Sequence, residues 1–278
     1  MLRPVDAGPL EELEVRLLVE GVNRRYGYDF SGFHLGPLVR AARRARRREG
    51  LPTVSALLER LLRDAACMDR LLVDLARRRT PLFHEPELFL AIREEVIPIL
   101  RTYPRPRIWV AGGGSGHDLH AMAIVLQEEG LLERCRLYAT DLSDSAVRAA
   151  REGTVRAAEL PRASEAYRRT GGRGSLEAYL RIDGGRAAFD PGLGEKVVFA
   201  SHFVVTDAVF NEFNLILCRN LLRTLTGPLQ RRVADLLHRS LDLLGFLCLG
   251  GGESIELSPH ERCYEAASPP ARLFRRVR

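Results

Sequence analysis

The residues of this 278-residue chain whose types and spacing could do chemistry sit in a few short stretches. The richest runs Arg107-Ile108-Trp109-Val110-Ala111-Gly112-Gly113-Gly114-Ser115-Gly116-His117-Asp118-Leu119-His120. Strand-forming residues lead into a glycine cluster, and the apolar periodic run from Leu119 reads as a helix. A strand, tight turn and helix start in that order suit a ligand: glycine lets the backbone come close, and the helix start offers free N–H groups. The dinucleotide pattern G-x-G-x-x-G needs a glycine at position 117, where His117 stands. The spacing present is Gly112-x-Gly114-x-Gly116, which serves either a ligand cradle or a purely structural turn.

A second apolar stretch, Cys135 to Thr140, ends in Asp141. A carboxylate at the end of the strand after a glycine turn can accept hydrogen bonds from two ribose hydroxyls. Asp141 or Ser143 can equally cap the helix that follows, and the two roles are compatible. His84, His117 and His120, with Asp118, carry metal-ligand atoms, and His117 and His120 stand three residues apart at a helix start. One close pair and one distant histidine more often make hydrogen-bonded structure, so no metal is expected. Five dispersed cysteines (Cys67, Cys135, Cys218, Cys248, Cys263) contain no C-x-x-C pair and read as reduced thiols, with neither a disulfide framework nor a zinc site.

The elements that must position these residues fall into three parts. Residues 1–79 read as a small helical bundle: a helix over 9–25, another from Leu38 to Glu49, a third opened by Thr53 or Ser55, and a fourth from Asp69 to about Arg78. Residues 80–106 are a proline-marked linker and a helix over 86–100. From 107 to 278, strands and helices alternate, which predicts a parallel, doubly wound α/β sheet with an antiparallel edge made by its late glycine-bounded strand pair. Its expected strands are Arg107 to Val110, Cys135 to Thr140, Val197 to Phe199 with Val204-Val205 at an edge, Asn214 to Cys218 and Gly245 to Gly250. The tail after Pro259 reads as a short strand, Ala271 to Val277, or as loose chain. Residues 153–196, broken by Gly171-Gly172-Arg173-Gly174 and Asp183-Gly184-Gly185, read as an insertion.

A hydrophobic fraction of 46% supports an ordinary core. There is no run of eighteen apolar residues and no signal-peptide pattern at the start, so a cytoplasmic protein without membrane insertion is expected. Of the net charge of +6, residues 1–79 carry +5, from 16 arginines against 11 acidic residues. Six of those arginines lie between Arg40 and Arg48. They suit an acidic partner or form a solvated face; without aromatic interleaving or a base-reading motif, nucleic acid is not the expected partner.

The glycine spacing and five other stretches together resemble the CheR-type chemotaxis receptor methyltransferases. That family's T-x-F-F-R, W-x-A-G-C-S-x-G-E-E, T-D, V-F-x-x-H-N-L, C-R-N-x-x-I-Y-F and G-G-x-L-x-L-G-x-S-E correspond in order to Thr80 to His84, Trp109 to Asp118, Thr140-Asp141, Val198 to Val204, Cys218 to Leu225 and Leu244 to Ser254. The resemblance covers nearly the whole chain, and residues 153–196 fall where the family inserts its β-subdomain. It implies an S-adenosylmethionine (SAM)-dependent methyltransferase acting on glutamate side chains of chemoreceptors or related acidic helical signalling proteins, with S-adenosylhomocysteine as product. By position it places Thr80, Gly112, Gly114, Gly116, His117, Asp118, Asp141, His202, Phe203, Arg219 and Asn220 around the cofactor, and Arg219 and His84 at the reacting centre. This chain departs from the pattern at His84 for arginine, His117-Asp118 for paired glutamates, Phe203-Val204 for Asn-Leu, and Arg223-Thr224-Leu225 for Ile-Tyr-Phe. Two further readings follow from the departures: a scaffold that keeps the fold without the chemistry, or a methyltransferase with another acceptor.

Overall fold

The computed structural model of the chain describes residues 7–76, 80–255 and 258–278. Helices α1 (Ala7–Tyr26), α2 (Leu35–Arg48), α3 (Val54–Arg63) and α4 (Ala65–Ala76) share one core, built on Val15, Leu18 and Val22 of α1 and Leu57, Leu61, Leu71 and Leu72 opposite. Thr53 caps α3 by accepting the Ala56 N–H at 3.0 Å. Asp64 does the same for α4, taking the N–H groups of Ala66 and Cys67. That cap starts the fourth helix at Ala65 rather than at Asp69; the expected end at Arg78 lies outside the described residues.

The arginine-rich helix α2 is not one free cationic face. Arg43 pairs with Glu11, Arg44 and Arg48 pair with Asp74, and Arg46 donates to the Pro52 carbonyl. Much of the charge therefore holds the bundle together.

After the linker, α5 (Pro86–Ala91) runs through a π-helical turn (Ile92–Val96) into α6 (Ile97–Leu100). The main sheet has the order β6-β2-β1-β7-β8-β10-β9. Its strands are β1 (Arg107–Ala111), β2 (Arg136–Asp141), β6 (Val197–Ser201), β7 (Phe213–Cys218), β8 (Leu241–Leu249), β9 (Tyr264–Ser268) and β10 (Leu273–Arg276). The first five pair in parallel, and β10 and β9 add an antiparallel edge. Helices α7 (His117–Glu128), α8 (Asp144–Glu152) and α10 (Gly227–Ser240) connect them. All six residues of β7 are buried, as a central parallel strand requires.

The insertion contributes α9 (Leu160–Arg169) and a separate antiparallel sheet of β3 (Thr154–Arg156), β5 (Arg186–Phe189) and β4 (Leu180–Asp183). Three local expectations are corrected. Val204-Val205 form a turn, closed by the Phe203 carbonyl accepting from Thr206 and Asp207, and not an edge strand. β8 begins at Leu241, before the glycine expected to open it. The antiparallel edge comes from the tail, where β9 pairs with β10 between Tyr264 and Ser268, with a register shift between Leu273 and Phe274. Among the described residues, no helix is long and apolar enough to cross a membrane.

Candidate functional site

The chain leaves β1 toward β2 and β6 on one side and returns to β7 on the other, so the order reverses between β1 and β7. The carboxyl ends of those two strands are where an open α/β sheet forms a ligand crevice. β1 ends in the glycine loop and β7 in Arg219-Asn220. Two separate motifs thus meet at one point of the topology.

Arg219 forms the floor. Its side chain has no exposure, and it donates to Asp118, to Glu85 Oε2 at 2.7 Å and to the His84 carbonyl at 2.8 Å. Its guanidinium also lies 5.7 Å from the Phe89 ring centroid. Burial pushes the Glu85 carboxyl up, but the Arg219 hydrogen bond and charge outweigh it and hold that carboxyl below its ordinary range. The backbone around His84 is strained: Phe83 and Glu85 both have positive φ, 53° and 58°. Arg219 fixes this kink by binding the carbonyl of His84 and the side chain of Glu85 together, and Gly251 N–H adds a bond to Glu85 Oε1 at 2.9 Å.

The loop above the floor has three left-handed glycines, Gly112, Gly114 and Gly116, with φ of 68°, 57° and 79°. Gly112 and Gly113 N–H both donate to the Thr140 carbonyl, tying the loop to β2. Asp141 takes the Gly114 N–H on Oδ2 at 2.8 Å and the Leu142 N–H on Oδ1 at 2.7 Å. The helix-cap role falls instead to Ser143, whose hydroxyl accepts from Ala146 N–H at 3.2 Å.

A cleft of about 540 Å³ opens between the sheet and the helical bundle. Thr80, His84, Gly112, Asp141, His202, Phe203 and Asn220 all line it. Gly114, Asp118 and Arg219 line a smaller recess beside Thr80 and Gly112. Two residues expected at the cofactor lie elsewhere. Gly116 packs on the backbone of α8, and His117 is buried between the carbonyls of Thr80 (2.8 Å) and Thr154 (3.2 Å), bridging linker and insertion. Phe203 lines the cleft but also joins Tyr28, Phe30 and Phe33 of the bundle, with centroids 5.7–6.3 Å away. It therefore fastens the bundle to the cleft lip.

Residues 78–269 match the family described as CheR methyltransferase, SAM binding domain. The chain belongs to the CheR methyltransferase family. It is 39% identical over 265 residues to a Pseudomonas putida protein named "Putative methyltransferase Cher3", spanning 95% of this chain and 97% of that one. Chemotaxis protein methyltransferase 1 of Pseudomonas aeruginosa is 25% identical, with 80% and 82% of the two chains covered. The chemotaxis protein methyltransferase of Vibrio parahaemolyticus is 27% identical over 80% and 79%. This CheR-family protein is a SAM-dependent methyltransferase, and its cleft fits that cofactor: the loop's positive-φ glycines leave the backbone bare of Cβ atoms, and Asp141 places a carboxylate at the wall.

Two glutamates that matter were not singled out from the sequence. Glu85 is described above. Glu253 is buried, and its carboxylate accepts the N–H groups of Asn220, Arg223 and Gly250 at 2.7–3.0 Å, which holds Asn220 in its left-handed conformation (φ 59°) at the cleft wall. The available signal was the family's G-G-x-L-x-L-G-x-S-E motif: with Gly245 at its second glycine and Gly250 at its third, its glutamate falls on Glu253.

His120, buried against Phe189 with ring centroids 4.0 Å apart, gives the fold a pH dependence. Burial, with the neighbouring His117 charge, pushes it from 6.5 down to about 4. Between those values the unfolded chain binds a proton that the folded chain does not, so stability is full above 6.5 and falls as pH drops toward 4. The expected loss is about 3 kcal/mol. Melting curves across this range should show a shallower decline for His120→Gln.

Proposed function

We propose that this enzyme methylates carboxylate side chains, glutamates on an acidic helical surface of a chemoreceptor or related signalling protein. The observation that carries the reading is the charge of the cleft mouth. Arg40 of α2 and Arg223 after β7 line it alongside His84, and Arg44, held by Asp74, stands beside them. A cationic rim on a cleft whose wall carries Asp141 suits an anionic acceptor brought to a nucleoside cofactor.

SAM supplies an electrophilic methyl group on a positively charged sulfonium. The residues do the rest by positioning. Thr80, Gly112, Gly114, Asp141, His202, Phe203 and Asn220 would hold the cofactor, with Asp141 accepting from the ribose hydroxyls. At the floor, Asp118 and Glu85 against Arg219 leave a net charge of −1, which favours a cation nearby. Asp118 thus keeps an acid where the family has its second glutamate, while His117 turns to a structural task. The acceptor carboxylate is already ionised at neutral pH, so in-line placement matters more than a general base. His84 stands where the family has its arginine, and Arg223 stands one residue before Thr224, which takes the place of the family's tyrosine; the Arg223 guanidinium and the His84 imidazole supply hydrogen-bond donors to orient that carboxylate.

Calorimetric titration with S-adenosylhomocysteine tests the cofactor placement: Asp141→Ala should weaken binding by roughly 1.5–3 kcal/mol, the value of a charge-assisted hydrogen bond. Unchanged affinity would remove Asp141 from the site. Incorporation of labelled methyl groups into an acidic, helical receptor domain tests the acceptor. Base-labile methyl esters are expected, with KM rising as salt is raised from low to physiological ionic strength. Labelling confined to non-acidic acceptors, or insensitive to salt, would rule the reading out.

A further inference from the structure

At the far edge of the sheet, a second group of reactive side chains stands apart from the cofactor cleft. His238 lies in the last turn of α10, while His260 precedes and Cys263 ends the short turn Glu261–Cys263 that leads into β9. One ligand atom from each of the three comes within 4.8 Å of the other two. The two imidazoles stack face to face, with centroids 3.9 Å apart and planes within 5°. Two imidazoles and a thiolate are a donor set that suits a borderline-soft cation such as Zn²⁺.

The surroundings are those of a metal-binding histidine. Asp235, one turn earlier in α10, bonds Nε2 of His260 at 2.9 Å, which leaves Nδ1 as its free nitrogen. A carboxylate behind an imidazole fixes the tautomer and raises the basicity of a ligating ring. The Tyr264 hydroxyl lies 3.3 Å from Nδ1 of His238, which leaves Nε2 there. The nearby cation, Arg276, is turned away to the backbone, donating to the His238 carbonyl in the last turn of α10 and to the Leu241 carbonyl at the start of β8. The same helix end carries the negative pole of the α10 dipole, which favours a cation.

We propose that His238, His260 and Cys263 bind one Zn²⁺ ion, with water as fourth ligand, that clips the turn before β9 onto the end of α10. Ligand atoms around a tetrahedral zinc lie about 3.5 Å apart. Here the three ligand atoms lie within 4.8 Å of one another, and Cys263 is half-buried at the end of its turn. Binding releases the thiol proton of Cys263 to solvent. The role is structural: the clip fastens the outermost strand of the sheet, which among the described residues pairs only with β10.

Cobalt reports the site directly. Full-length protein stripped with a chelator and titrated with Co²⁺ should take up one equivalent, giving tetrahedral visible bands and a sulfur-to-cobalt charge-transfer band that zinc then abolishes. Cys263→Ser should lose the charge-transfer band while keeping its circular dichroism spectrum. Asp235→Asn should keep the band but weaken zinc roughly 10–100-fold. Zinc should raise the melting temperature of the wild type and not of His260→Asn. Absence of the charge-transfer band in the wild type, or its survival in Cys263→Ser, would overturn the proposal.

Discussion

Gly116→Ala is expected to destabilise the protein by about 2–6 kcal/mol, against a total of roughly 5–15 kcal/mol for a domain. Two terms act together. Gly116 has φ +79°, a conformation that costs a residue with a Cβ about 1–3 kcal/mol. A Cβ there would also stand 2.1 Å from the Ala150 carbonyl oxygen and 2.9 Å from its carbon. That neighbour is helix backbone in α8, which cannot swing aside as a flexible side chain would, so overpacking adds roughly 1–3 kcal/mol. Gly130 separates the two terms: its φ is +67°, but a Cβ there would meet nothing within 4 Å. Gly130→Ala should therefore show the backbone cost alone. Chemical denaturation of both variants checks this, and equal losses would show that the contact with Ala150 relaxes freely. The third glycine of the G-x-G-x-G spacing then owes its presence to helix packing, and the first two to the cleft.

The split explains which parts of the site could be read from the sequence. Gly112 and Asp141 announce themselves locally, because a glycine turn and a strand-ending acid have meaning within a few residues of chain. Order and spacing of six stretches carried the family, and alternating strands carried the parallel sheet. What was illegible is contact between distant residues. Nothing near Glu85 says that it meets Arg219, 134 positions away, or near Glu253 that it caps Asn220. Phe203 read as a cofactor-side substitution, yet its ring partners come from the bundle, Tyr28, Phe30 and Phe33. The six arginines of α2 read as one face because their acids, Glu11 and Asp74, lie on other helices. The cluster at His238 escaped for a related reason: its histidines are on separate elements, and only the short H-x-x-C spacing of His260 and Cys263 was local.

Removing Arg219 tests the other half of the site, and Arg219→Met should cost about 3–5 kcal/mol, the usual result of breaking a buried ion pair on one side. Methionine keeps most of the side-chain volume, so the loss reports charge rather than a cavity. Asp118 and Glu85 would then both lose their arginine, with side-chain exposures of only 14% and 31%. If unpaired charge is the cause, adding Glu85→Gln to Arg219→Met should recover part of the stability, and a double-mutant cycle measures how much. No recovery would mean that the cost lies in the lost bond to the His84 carbonyl and the strained kink it holds. The two causes also differ in function. Glu85→Gln alone keeps Arg219 paired to Asp118 but removes the net negative charge at the floor, so it should weaken binding of the cationic cofactor more than that of its neutral-sulfur product. A similar loss for both would assign Glu85 to shaping the linker, and the floor's charge would then rest on Asp118 and Arg219 as a neutral pair.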